Sequence, residues 1–361
     1  MGRTFFFANK PRQLYVPIYM KKALLLNNLG TPDAPEPEAL ARYLKEFLMD
    51  EDVITIPYPI RWFLVNLIIV PRRKYESAKN YQKVWTERGS PLMLHTEDLT
   101  AKLQSALDGW RVDFCMRYGK PSIASKVAEL AKEGVEEIHF LPLYPQFAKA
   151  TTGSAIKKFQ EVMQSYPHIQ TKILGAFYFH EDYLEASKQV YETSLPHKNF
   201  DHYLFSFHGL PKKDVMRGEG KGHCMVKENC CFIECEQNKN CYVSQCKKTA
   251  VAIAKKMGIE NYTICFQSRL GPTEWVKPYT EDTVIELAKQ GVKSVAVFSP
   301  AFVADCIETI EELSMGLKET FEEHGGKELF VAPCLNASDE WVHALTKIVS
   351  PPAQSRPHPQ P

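Results

Sequence analysis

Short apolar runs alternate with longer amphipathic stretches along most of this chain, and that alternation constrains the fold more than any single residue does. The runs Ala23–Asn28, Val112–Met116, Glu137–Leu143, Lys172–Phe177, His202–Phe207, Tyr262–Gln267, Ser294–Ser299 and Leu329–Pro333 read as buried parallel strands. Helical periodicity falls between them at Ile123–Glu133, Glu181–Thr193, Cys246–Met257, Glu281–Gln290 and Asp305–Glu323. Gly134, Gly258 and Gly291 follow three of these helices, where a left-handed cap is needed. Glu129-Leu-Ala-Lys-Glu-Gly-Val135 returns as Glu286-Leu-Ala-Lys-Gln-Gly-Val292, each copy leading into an apolar strand. Leu-Ala-Lys is common helix text, so chance repetition competes with duplication. The duplication reading predicts an α/β fold of two similar Rossmann-like halves with parallel sheets, meeting near residue 178.

A chain of 361 residues has room for two such domains. The expected division is an extension over 1–21, one domain over 22–177, a second over 178–349, and a disordered tail over 350–361 rich in proline and polar residues. The orderly pattern begins at Met20-Lys21-Lys22, which makes Met20 a candidate start alongside Met1. The opening segment lacks the layout of a secretory signal, and no apolar run is long enough to span a membrane. With 44 basic against 43 acidic residues, the chain carries no excess of charge to attract nucleic acid. A cytoplasmic protein is expected.

Folds of this class put their chemistry at the carboxyl ends of strands. Five segments sit there: Asn28–Pro32, Arg117–Pro121, Pro142–Gln146, His208–Pro211 and Gln267–Pro272, with Ser299–Cys306 completing the set. His208 could take a proton or bind a metal near neutral pH, or it could only cap its loop. Glu308 and Glu312 lie four apart on an expected helix and share a face, so they could hold a cation or relay protons. A merely solvated acidic face is the competing reading, yet this helix starts directly after a strand-end loop.

Two further segments stand out. Ile60–Pro71 is densely apolar, contains Arg61, and is followed by Arg72-Arg73-Lys74. It reads either as a core helix or as an apolar lip with a basic collar, suited to an amphipathic ligand or a membrane surface. Six of the ten cysteines crowd between Cys224 and Cys246, without any Cys-x-x-Cys pair. That pattern disfavours a zinc ribbon and favours an iron–sulfur cluster over unrelated thiols.

Together these segments resemble the ferrochelatase family, from about Leu24 to Val349. Leu26-Asn-Asn-Leu-Gly-Thr-Pro32, Gly89-Ser-Pro-Leu92, Arg117-Tyr-Gly119, Leu141-Pro-Leu-Tyr-Pro-Gln146 with Thr151-Thr-Gly-Ser154, and Gln267-Ser-Arg-Leu-Gly271 follow the family's motifs in order. Phe205-Ser-Phe-His-Gly-Leu-Pro211 resembles the motif of the catalytic histidine, which falls on His208. Val303-Ala-Asp-Cys-Ile-Glu-Thr309 resembles that of the catalytic glutamate, which falls on Glu308, with Glu312 behind it. The resemblance implies an active-site cleft between two chelatase-type domains. It implies Leu29, Arg73, Tyr81, Ser90, Arg117 and Tyr118 as porphyrin contacts, and His208 and Glu308 as the groups meeting Fe²⁺. The 60–70 segment then looks like the lip of members that take protoporphyrin from a membrane. Cys306 stands where some relatives have histidine, so no second metal-relay histidine is expected there. The insert over 223–241 departs from the common pattern and implies a [2Fe–2S] cluster, assigned to Cys224, Cys231, Cys235 and Cys241. Cys246 belongs to ordinary family text.

The activity implied is insertion of Fe²⁺ into protoporphyrin IX to give protohaem, with release of two pyrrole protons. Binding energy from the ring's periphery would bend it, His208 would accept protons, and Glu308 with Glu312 would receive metal or carry protons away. Rival readings are a chelatase for coproporphyrin or another tetrapyrrole, and a cluster-bearing redox sensor or scaffold without catalysis. Peripheral membrane contact is expected from the lip alone.

Overall fold

The computed structural model describes residues 22–218, 230–231, 238–269, 271 and 273–350. The extension over 1–21, the tail from 351, and Cys224 and Cys235 of the expected cluster set lie outside the described residues. All eight expected strands form: β1 (Lys22–Asn28), β2 (Trp110–Met116), β3 (Glu137–Pro142), β4 (Gln170–Ile173), β5 (His202–His208), β6 (Tyr262–Gln267), β7 (Ser294–Phe298) and β8 (Glu328–Val331). They make two four-stranded sheets, ordered β2-β1-β3-β4 and β6-β5-β7-β8, with every pairing parallel.

The two sheets have one topology. Adding four to each strand number of the first gives the second. The repeated sequence occupies equivalent places, ending the helices Ile123–Lys132 and Thr280–Lys289 and leading into β3 and β7. Its glycines close both helices in the same way. Gly134 (φ 78°) and Gly291 (φ 92°) are left-handed, and Val135 and Val292 each donate back to a leucine carbonyl, of Leu130 and Leu287, at 3.1 Å. The cap is a general helix stop, shared by Gly258, so it is the matching strand orders, with the repeat at equivalent places in both, that support duplication over chance.

Side-chain alternation divides the cores. Ala23 and Leu25 of β1 face the helices Ile123–Lys132 and Ser154–Met163, together with Ile138 and Phe140 of β3. Leu24 and Leu26 face the other way, into a cluster that also holds Phe205, Phe207 and Phe298 of the second sheet. The helices Glu181–Ser194, Tyr242–Met257 and Asp339–Val349 fill that shared layer, with Tyr183, Tyr191, Ile253 and Trp341 fully or almost fully buried. Polar ties cross the same layer: Gln146 Nε2 donates to Thr249 Oγ1 at 3.1 Å, and the Tyr183 hydroxyl to the Pro300 carbonyl at 2.6 Å. The sheets are therefore joined by a common hydrophobic layer, and each buried leucine in it contributes about 1.5–3 kcal/mol.

Three local differences from the sequence reading have physical causes. β4 starts and stops earlier than expected, because Phe177 turns into the core against Tyr183 and Trp341 instead of extending the ladder. The expected helix from Asp305 is π-helical over Glu308–Leu317 and α-helical only over Lys318–Glu323. The apolar segment is one continuous helical stretch, Tyr58–Phe63, a π turn Leu64–Ile69, then Val70–Val84. It is not a core helix. Val65 and Val70 are buried, but Ile60, Phe63 and Leu67 stay 59%, 54% and 56% exposed. Arg61 does not join the basic collar. It is 7% exposed, and its Nη1 donates to the carbonyls of Ile54 and Ile56. Among the described residues no helix is long and apolar enough to cross a membrane.

Candidate active site

In each sheet the strand order reverses beside its first strand, so loops diverge at the carboxyl ends of β1 and β5 and open a crevice. Leu29 follows β1 directly, and His208 ends β5. Gly30 must be glycine here. Its φ is 112°, and a Cβ would lie 1.8 Å from the Tyr118 carbonyl oxygen. This close approach sets Leu29, which packs with Leu92 of one half and Phe302, Ala304 and Cys306 of the other. The two strand-end loops thus meet around Leu29.

His208 lies near the rings of Trp275 and Phe302, at centroid distances of 6.3 and 6.4 Å. Its Nδ1 is 2.6 Å from the Gly209 carbonyl oxygen. A carbonyl can only accept, so Nδ1 carries the hydrogen and the lone pair of the neutral ring sits on Nε2. Nε2 has no hydrogen-bond partner among the described residues. The reading of His208 as only a loop cap therefore accounts for one of its two nitrogens.

The π turn carries the acidic residues. A wider i→i+5 turn still leaves Glu308 and Glu312 on one side, while Glu311 points elsewhere and pairs with Lys83 Nζ at 2.8 Å. Glu312 accepts from the Ser268 backbone N–H at 2.8 Å and from the Ser268 hydroxyl at 2.6 Å. Burial holds its carboxyl above the usual range; the Ser268 hydroxyl and the nearby His208 oppose that, and the Glu308 charge adds to it. The backbone carbonyl of Glu308 accepts from Gln267 Nε2 at 3.2 Å. Tyr81 faces this group from the helix Val70–Val84. Burial pushes its hydroxyl well up, and the nearby Glu308 and Cys306 raise it further. Tyr43 behaves alike, through burial, Tyr81 and Glu308.

The expected porphyrin contacts divide in two. Leu29 packs with Cys306 just ahead of the acidic turn and Tyr81 lies within reach of the Glu308 charge, whereas Ser90 is buried and accepts from Thr31 Oγ1 at 2.8 Å. Arg73 is half-buried and makes no ion pair or hydrogen bond among the described residues. Arg117 and Tyr118 are engaged internally. Arg117 pairs with Asp50 at 2.5 Å and bonds Ser154 at 2.7 Å, and the fully buried Tyr118 donates its hydroxyl to Asp50 at 2.8 Å. In this structure they anchor the loop after β2. Thr31, Tyr43, Ser268, Trp275 and Phe302 were not singled out from sequence. Ser268 and Phe302 fall in strand-end segments that were, whereas Tyr43 sits on a helix with no chemical signal of its own.

Of the insert, Cys230, Cys231 and Cys241 are described, and all three are buried. The Cys230 and Cys231 sulfurs are 3.7 Å apart. A hydrogen bond with Cys241, then burial, pushes the Cys231 thiol up. Asn238 Nδ2 and Ser244 Oγ bond the carbonyls of Cys230 and Cys231 at 3.0 Å, tying the pair to the helix Tyr242–Met257. Cys246 packs in the core beside Tyr242. Among the described residues no three metal-ligating side chains form a metal site.

These features meet known proteins at three levels. A ferrochelatase family model matches residues 21–352. A ferrochelatase of Bdellovibrio bacteriovorus is 45% identical over 334 residues, covering 91% of this chain and 98% of its own. One from Legionella pneumophila is 41% identical, covering 92% and 99%. Among solved structures, the sirohydrochlorin chelatase SirB from Bacillus subtilis in complex with cobalt covers 91% of this chain at a TM-score of 0.51 and 10% identity, a likeness of fold alone. With the family model spanning both sheets and the acidic turn facing His208 between them, this chain belongs to the ferrochelatase family.

Proposed function

We propose that this protein inserts Fe²⁺ into protoporphyrin IX, with His208 as the base and Glu308 and Glu312 as the acidic pair on the metal or proton path. The observation that carries this is the His208 ring: Nδ1–H is held by the Gly209 carbonyl, so Nε2 keeps a lone pair among aromatic neighbours opposite the acidic turn. A neutral imidazole in that tautomer is a proton acceptor. Insertion replaces two pyrrole protons with one Fe²⁺ and involves no net electron transfer. Nε2 accepts protons as the metal enters, and the carboxylates offset the cation's charge on its way to the ring. Membership of the family supports iron insertion into a porphyrin.

The exposed apolar helix supports protoporphyrin over more polar rings. Ile60, Trp62, Phe63 and Leu67 offer apolar surface beside the half-buried Arg73, which suits a macrocycle with hydrophobic edges and two carboxylates. Leu29, Tyr81 and Ser90 complete the contacts in this reading. The same surface supports peripheral contact with a membrane from the cytoplasmic side. In this reading the chain divides into domains over 22–177 and 178–349, with the extension and tail outside them.

The insert fits a [2Fe–2S] cluster in the chemistry of its donors: Cys231 and Cys241 are free, buried thiols within hydrogen-bond reach of each other, and in this reading they hold it with Cys224 and Cys235. When bound, such a cluster supplies one-electron redox chemistry, which metal insertion does not consume. Its part is then structural or redox-sensing.

The test is an anaerobic insertion assay with Fe²⁺ and protoporphyrin IX, following loss of porphyrin fluorescence. Wild type is expected to turn over, and His208→Ala to lose at least about 100-fold. Near-full activity in His208→Ala would overturn the assignment of the base.

A further inference from the structure

Ser268 is the only residue among those described that bonds both carboxylate oxygens of Glu312, one through its backbone N–H and one through its hydroxyl. It does so from a left-handed backbone, φ 66°, one of two non-glycine residues with positive φ among those described. Glycine would hold that backbone with less strain and keep the N–H bond. What serine adds is the hydroxyl at 2.6 Å. The preceding residue works on the other acidic position. Gln267 Oε1 accepts from Ser206 Oγ of β5 at 2.7 Å, and its Nε2 reaches the Glu308 carbonyl at 3.2 Å. The dipeptide at the end of β6 therefore spans from the β5 floor to both ends of the acidic turn.

We propose that Ser268 is a positioning residue for iron insertion, fixing the Glu312 carboxylate behind Glu308 through its hydroxyl. It acts through Glu312. Two bonds to one carboxylate fix its plane as well as its distance, where a single N–H leaves it free to rotate. The proposal rests on the insertion reading above.

Two substitutions separate this role from a structural one. Ser268→Ala removes the hydroxyl and keeps the strained backbone, whereas Ser268→Gly removes the hydroxyl and relieves the strain. The expected result is that both lose kcat by a similar factor of about 10 to 100, with porphyrin KM close to wild type, while Tm is higher for Gly than for Ala. A kcat within about twofold of wild type in Ser268→Gly would overturn the proposal. So would activity that follows Tm across the two variants, which would make Ser268 a folding residue. An inactive wild type would instead overturn the insertion reading, whatever the variants do.

Discussion

Asp50→Ala tests whether the loop after β2 is held by one buried carboxylate. The Asp50 side chain is 6% exposed and accepts from Arg117, Tyr118, Ser154 and the Asp52 backbone N–H. Burial pushes its carboxyl up, but the bonds from Ser154, Asp52 and Tyr118 and the Arg117 charge outweigh it, leaving it below the usual carboxylate range. Truncation leaves the Arg117 guanidinium, 14% exposed, without its counter-charge. Breaking a buried pair from one side costs about 3–5 kcal/mol. At about 2 °C per kcal/mol for a large domain, Tm should fall by roughly 6–10 °C. The double variant Asp50→Ala/Arg117→Met removes both charges and should recover part of that loss. The pH dependence has a fixed sign. A depressed folded pKa gives stability that is present above the unfolded value of about 3.9 and is lost as pH falls through the folded value. The gap between wild type and Asp50→Ala should therefore be full at pH 7 and narrow below about pH 4. Thermal scans by circular dichroism at both pH values measure it. A Tm within about 2 °C of wild type at pH 7, or a double variant no better than the single, would refute the argument.

Gly30→Ala should be among the most damaging single-methyl changes. A Cβ there meets the Tyr118 carbonyl at 1.8 Å, and φ is 112°. Strain alone costs about 1–3 kcal/mol, and the shifted loop would displace Leu29, so urea midpoint and porphyrin KM should both worsen. Lys83→Ala breaks the 2.8 Å pair with Glu311, but Lys83 is 51% exposed. Stability should change by less than about 1 kcal/mol in urea melts, and less still in high salt. If the insert holds a [2Fe–2S] cluster, Cys231→Ser and Cys241→Ser should each bleach the visible absorbance of anaerobically purified protein. Colour that survives both changes would move the ligands elsewhere.

The inner strands were legible because each is a short apolar run bounded by turn residues, and a parallel strand buried on both faces leaves that trace, whereas the polar, exposed edge strand β4 left none and was placed two residues late. The glycine-ended repeat marked equivalent helices for the same reason, since only a left-handed cap closes them. Some helices were missed. Pro37–Leu48 and Ser154–Met163 bury Leu40, Leu44 and Leu48, and Ala155, Phe159 and Met163, at four-residue spacing, so their pattern was there to be read, whereas Pro91–Ala106 separates its polar and apolar residues poorly. The split in the apolar segment was not legible either, because apolar residues look alike whether they enter the core, as Val65 does, or stay exposed, as Phe63 does.

For the candidate site, the sequence by itself determined which residue types stand at strand ends, since the chain order of strand, loop and helix is local. That order marked His208, Glu308 and Glu312 as candidates, and the resemblance to the ferrochelatase family chose them over the loop-cap and solvated-face readings. Only the tertiary structure decided what surrounds them. The tautomer of His208 depends on where the Gly209 carbonyl turns. That Arg117 pairs with a buried aspartate depends on Asp50, 67 residues earlier. The grip of Ser268 on Glu312 joins residues 44 apart through a left-handed turn and a π-helical one. Such contacts are set by side chains that pack together only once both sheets have formed, and no local pattern encodes them.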